Sequence, residues 1–206
     1  MQGARTGVAA LVKKGCCWNT KIVSLTNSPC EKYFNIGRLL LVQLFYGKGN
    51  RSILIYIVYG QAGSRWEQSK KDELESMIAA ITQDMNGRGS VPALIVGDFN
   101  IQISESNLLQ KLLFTKQWYD ANCLGSADEK VKNTSHKNNG SRIDFVFANT
   151  MAVGLLKTYQ VVPGVLPDDH SEVHVTISLP RSTQVRYVIS QPNQHLSTPY
   201  DEIPHE

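Results

Sequence analysis

Acids, an amide and a histidine stand out in this chain because each follows or interrupts an apolar stretch. Gly97-Asp98-Phe99-Asn100 follows the run Ala93-Leu94-Ile95-Val96. Asp144 sits inside Ser141-Arg142-Ile143-Asp144-Phe145-Val146-Phe147, and Asp168-Asp169-His170-Ser171 follows Pro167. Carboxylates at such places can hold a hard divalent cation and orient a water molecule. A histidine beside a carboxylate can carry a proton or act as a cationic donor to a phosphate. Each group also has a plainer use. Asp and Asn after a strand bond their own backbone in turns. Arg142 and Asp144 can form a surface ion pair worth at most about 1 kcal/mol. Asp168 and Asp169 can be turn residues after Pro167, and His170 alone can be a structural histidine.

These residues need strands to deliver them. A short apolar run ending at a glycine reads as a buried strand opening into a polar site. Positions i and i+2 of a strand share a side, so Asp98 and Asn100 can reach one target while Phe99 returns to the core. Gly97 lets the backbone approach whatever is bound. Residues 142–148 alternate, with Ile143, Phe145 and Phe147 on one face and Asp144 on the other. Residues 172–179 alternate as well, placing Val173, Val175, Ile177 and Leu179 inward and His174 toward solvent.

Elsewhere, residues 6–12 suit a strand, and a further strand is expected around residues 22–25. Two long apolar runs, 37–46 and 52–59, flank Gly47-Lys48-Gly49-Asn50. They read as a hairpin of central strands, apolar on both faces. Ser64-Arg65-Trp66-Glu67 has the Ser-x-x-Glu form of a capping box, which predicts a helix start. Leu74, Met77, Ile78, Ile81 and Met85 then repeat at helical spacing as a core stripe, with Asn86-Gly87 as the stop. A second helix is expected over 104–114, with Leu108, Leu109 and Leu112 inward. Residues 118–132 are mixed, and 130–137 are basic. From Pro180 onward the chain is polar and contains Pro192, Pro199 and Pro204, which predicts a disordered tail over 181–206.

At 206 residues the chain is one domain by length. A formal charge of +3 is too small to indicate a polyanionic partner by itself. Cys16, Cys17, Cys30 and Cys123 lack a zinc spacing and read as reduced thiols, which favours a cytoplasmic or nuclear protein. No apolar run approaches the roughly 20 residues of a membrane span, and the N-terminus has no secretory signal core.

Taken in order, the Gly-Asp-Phe-Asn, Arg-Ile-Asp and Asp-Asp-His stretches resemble those of the endonuclease/exonuclease/phosphatase superfamily, which includes apurinic and retroelement endonucleases. The resemblance spans residues 7–179. It implies an α/β fold, a four-layer sandwich of two mixed β-sheets flanked by helices, over residues 1–180. It further implies a metal-dependent phosphodiester hydrolase using Mg²⁺, with Mn²⁺ as a substitute. Within it, Asp98 would position the attacking water and Asn100 would contact the phosphate. Asp169 would lie in the metal or leaving-group region, and His170 would face the scissile phosphate with Asp144 fixing its tautomer. Tyr59 falls where the family has a strand-end tyrosine, although Gly60-Gln61-Ala62 replaces the usual Pro-Asn. Thr134 or His136 would reach the site from the basic segment.

Two departures accompany the match. Asp168 stands where the family usually has Ser. The family's N-terminal strand with its Asn, and the metal-binding Glu after it, have no counterpart, since Glu31 is the only acid in the first thirty-five positions. The expectation is an N-terminally truncated domain, lacking its first strand, with weakened metal affinity. Nucleic acid is the expected substrate because the basic segment suits a polyanionic backbone. The alternatives are a catalytically inactive remnant that only binds, and a hydrolase of small phosphoesters. Substrate and oligomeric state are not legible in the sequence.

Overall fold

A computed structural model describes residues 7–13, 19–46, 51–124, 133–136, 140–162, 170–179 and, for the backbone alone, 185–189. Strands and helices follow in the order β1 (Asn19–Ile22), α1 (Glu31–Asn35), β2 (Leu39–Phe45), β3 (Ser52–Tyr59), α2 (Gln68–Arg88) and β4 (Ala93–Asp98). After these come α3 (Asn107–Phe114), β5 (Trp118–Asp120), β6 (Asp144–Asn149), α4 (Thr150–Val153), β7 (Leu156–Val162), β8 (Glu172–Ile177) and β9 (Val185–Ile189).

The strands form a six-stranded sheet, in the order β1-β2-β3-β4-β6-β5, and a three-stranded sheet, β7-β8-β9. The larger sheet is mixed, because β4 runs parallel to β3 and antiparallel to β6. The smaller differs from the expectation of two mixed sheets: both of its pairings are antiparallel.

Strand alternation assigns the two faces of the larger sheet to two cores. Tyr56, Val58, Ile95, Phe145 and Phe147 face α1, α2 and α3, whereas Ile53, Ile55, Leu94, Val96 and Val146 pack with Val173, Val175 and Ile177 of the smaller sheet. Buried on both faces, β3 and β4 have no polar side, which is why they read as continuous apolar runs.

The predicted hairpin forms with Leu39 opposite Val58 and Phe45 opposite Ser52, its four turn residues 47–50 lying outside the described residues. Leu74, Met77, Ile78, Ile81 and Met85 of α2 are buried as their spacing requires. Each such side chain contributes about 1.5–3 kcal/mol by leaving water.

Several expectations need correction. Residues 7–13 form no strand, and Leu11 is exposed, because they have no ladder partner among the described residues. The early strand lies at Asn19–Ile22, before the expected 22–25. Ser64 does not cap α2. Its hydroxyl instead donates to the Gln61 carbonyl at 2.6 Å in a separate turn, and the helix starts four residues later. At its other end α2 continues past Gly87 to Arg88 and stops at Gly89, whose φ of 77° is left-handed. The second helix begins at Asn107, capped by the Ser106 hydroxyl accepting from Leu109 N at 3.2 Å. His174 is not a solvent residue; with β9 beside it, its side chain is 12% exposed and lies 2.8 Å from Glu172. β9 itself comes from the segment read as a tail.

One buried polar network ties α2 to the larger sheet. Asp84 accepts from Ser28 Oγ at 2.7 Å, Tyr56 OH at 2.6 Å and Arg88 Nε at 2.6 Å. Burial works against the charged carboxylate, but the bonds from Arg88, Tyr56 and Ser28 outweigh it and hold Asp84 below the usual carboxylate range. A folded-state value below the unfolded one stabilises the protein above the unfolded pKa of about 3.9, and that stability is lost as pH falls through the folded value. Urea unfolding at pH 7 and pH 3 checks this. The stability advantage of the native chain over Asp84→Asn is expected to shrink at the lower pH, and an unchanged advantage would refute it.

Candidate active site

The end of the larger sheet where β4 stops carries the candidate site. β4 delivers Asp98, and the antiparallel register of β6 sets Asp144 directly opposite it. Both carboxylates are buried, with exposures of 6% and 5%. Like charges opposite one another in adjacent strands repel, so the pair needs compensating positive charge, a proton or hydrogen-bond donors. His170 supplies one partner, its Nδ1 lying 2.9 Å from Asp144 Oδ2. One ligand-capable atom from each of Asp98, Asp144 and His170 falls within 4.8 Å of the others. Two carboxylates and an imidazole so arranged fit a divalent cation.

Close backbone packing holds the Asp98 segment. Gly97 has φ 139°, and a Cβ there would lie 1.9 Å from the Val58 carbonyl oxygen of the neighbouring strand. Only glycine permits that approach. Gly60, just past β3, is equally tight: its N–H donates to the Asp98 carbonyl at 2.7 Å, and a Cβ would stand 2.2 Å from the Phe99 carbonyl oxygen. Phe99 N donates to the Ile143 carbonyl at 2.8 Å, tying the site end of β4 to the start of β6. The Phe99 ring meets Phe145 and Phe147 edge-on at 5.5 and 5.3 Å beneath the site. Such ring pairs add about 0.5–1.5 kcal/mol each beyond area burial.

Asn100 takes a left-handed conformation, φ 53°, which Asn tolerates better than most residues. Its backbone N–H donates to Asp98 Oδ1 at 2.8 Å, and its side-chain amide donates to Asp98 Oδ2 at 3.0 Å and to the Gly60 carbonyl at 3.1 Å. Both amide hydrogens are engaged, so in this arrangement Asn100 orients Asp98. Tyr59 pairs with Asp98 in the parallel ladder, and its ring packs under the Arg38 guanidinium at 4.9 Å. The same guanidinium donates to the Gly60 carbonyl at 3.2 Å.

Arg142 does not pair with Asp144. It forms a two-pronged bond to Asp120, at 2.5 and 2.6 Å, with its guanidinium 4.7 Å from the Phe145 ring centroid. Burial disfavours its charge, yet Asp120 outweighs that and raises its pKa. Sequence reasoning missed Asp120, whose short strand gave no sign of a partner twenty-two positions away. Arg38 also went unnamed, and Gly60 was noted only for standing where the family has Pro-Asn. Thr134 is fully buried, and its hydroxyl meets backbone N–H groups of the β6 entry. His136 is exposed and its Nε2 lies 3.0 Å from Ser171 Oγ. Asp168, Asp169, Cys16, Cys17 and half of the basic segment 130–137 lie outside the described residues, while Cys30 and Cys123 are free thiols.

No protein-family model and no curated protein sequence matches the chain. Solved structures do. The endonuclease domain of TRAS1, a telomere-specific non-LTR retrotransposon, superposes with a TM-score of 0.60 at 14% identity, covering 81% of this chain and 70% of that one. The 3′ phosphatase NExo from Neisseria, solved with a product DNA hairpin, gives 0.53 at 17% identity, covering 80% of this chain and 71% of that one. The mannosyl-6-phosphatase Bt3783 of Bacteroides thetaiotaomicron gives 0.51 at 18% identity, covering 68% and 57%. The chain therefore has the endonuclease/exonuclease/phosphatase fold. No helix among the described residues is long and apolar enough to cross a membrane.

Proposed function

We propose that this chain is a divalent-metal-dependent phosphodiesterase acting on nucleic acid, an endonuclease cleaving by in-line attack of water. The observation that carries this reading is the Asp98–Asp144–His170 cluster, one atom from each within 4.8 Å, at a strand end of this fold. Asp98, held by two bonds from Asn100, orients the water and accepts its proton. Asp144 holds His170 through Nδ1, and Nε2 would meet a phosphoryl or leaving oxygen. Asp98 and Asp144 would hold the cation, Mg²⁺ or Mn²⁺, with Asp169 in the metal or leaving-group region. When bound, the cation supplies positive charge against the phosphoryl oxygens.

Nicking of supercoiled plasmid by the purified chain, with Mg²⁺ and with chelator, tests the reading beside the Asp98→Ala variant. Metal-dependent nicking that the variant loses is the expected result. A folded chain with no cleavage would favour a binding module without catalysis.

One observation favours a small phosphoester as the second reading. The Arg-Ile-Asp cation is engaged by Asp120, so Arg142 is not the group that meets an extended polyanion. Competition between DNA, RNA and a sugar phosphate separates the two, and preference for the sugar phosphate would reverse the assignment.

A further inference from the structure

The start of β6 is held differently from the rest of that strand. Along its far edge β5 pairs with Asn149, Ala148 and Phe147 and reaches no further toward Asp144. Where that neighbour ends, the Thr134 hydroxyl takes over: Oγ1 accepts from Ile143 N at 3.1 Å and from Asp144 N at 3.0 Å. A hydroxyl oxygen has two lone pairs, enough for both donors. The same residue's N–H donates to the Ser141 carbonyl at 3.0 Å, and its carbonyl accepts from Ser171 N at 2.7 Å. Ser135 extends the patch by bridging to both Ser141 and His170. One fully buried residue thus joins the segment that presents Asp144, through its hydroxyl, to the segment that presents His170, through its carbonyl.

We propose that Thr134 is a positioning residue for the Asp144–His170 pair, its hydroxyl standing in for a neighbouring strand and its carbonyl anchoring the residue after the histidine. The proposal rests on the hydrolase reading for its catalytic consequence, but its structural content stands apart from activity. Valine is close to threonine in size and removes both acceptor lone pairs, leaving the Ile143 and Asp144 N–H groups without that acceptor. Serine keeps them. A misplacement of about 1 Å at a catalytic pair can reduce turnover about 10²-fold.

The test compares the full chain with Thr134→Val, Thr134→Ser and Asp144→Ala, reading kcat, KM and amide hydrogen exchange at Ile143 and Asp144. For Thr134→Val, kcat is expected to fall about 10²-fold with KM nearly unchanged, and exchange at both amides to rise at least tenfold. Thr134→Ser should restore both. If Thr134→Val fails to fold, Thr134→Cys, whose sulfur is a poorer acceptor, makes the same comparison. Native kcat and protection in the valine variant, with Asp144→Ala inactive, would overturn the proposal and leave the hydrolase reading standing. If Asp144→Ala keeps full activity, the hydrolase reading falls. Exchange alone then decides whether Thr134 holds the strand entry, and unchanged protection would overturn that too.

Discussion

Truncating His170 to alanine is expected to lower kcat for phosphodiester cleavage by about 10²–10⁴-fold, the range for loss of a positioned proton carrier. The expectation follows from the contact of His170 Nδ1 with Asp144 Oδ2 at 2.9 Å, which fixes the ring so that Nε2 serves the reaction. Asp144→Asn preserves the shape while removing the carboxylate that selects the tautomer, so it should also be strongly impaired. The His170 side chain is only 15% exposed, so thermal unfolding of both variants is read alongside to separate lost turnover from lost fold. Steady-state kinetics on a single-site oligonucleotide provide the measurement, and a loss below tenfold in both variants would remove His170 from the mechanism.

Replacing Asp120 by alanine is expected to destabilise the fold by about 3–5 kcal/mol, the cost of leaving one partner of a buried ion pair alone. The side chains of Arg142 and Asp120 are only 10% and 5% exposed, and both prongs of the pair are short. Arg142 also packs against the rings of Phe145 and Tyr159, at 4.7 and 5.6 Å, so its charge cannot leave without disturbing the aromatic cluster under Asp98. The double variant Asp120→Ala/Arg142→Met should recover much of the loss, because no charge is then stranded. Denaturant unfolding of the two single variants and the double one forms the cycle. Additive losses would show that the pair is worth little beyond its two parts.

Local pattern carried much of this fold because it concerns burial over short distances. Unbroken apolar runs marked β3 and β4, helical spacing marked the buried stripe of α2, and alternation marked the inner face of β8. The acids at positions 98 and 144 and the histidine at 170 were likewise visible, since each interrupts or closes an apolar run. The failures concern partners. The Ser-x-x-Glu pattern at position 64 is a helix start only if nothing competes for the hydroxyl, and the Gln61 carbonyl does. A polar segment after Leu179 became β9 because β8 offers it a ladder. His174, read as facing solvent, has a side chain only 12% exposed that lies against Glu172.

By itself, then, the amino-acid sequence determined which segments must be buried and which residue types stand at their ends. Side-chain period and hydrophobicity act within a few residues of each position and survive in a linear reading. Only the tertiary structure decided that Arg142 belongs to Asp120, that Asn100 orients Asp98, and that the Thr134 hydroxyl holds the entry to β6. Those choices depend on which donor and acceptor are brought within about 3 Å of each other. That is a property of strand order and register across distant segments.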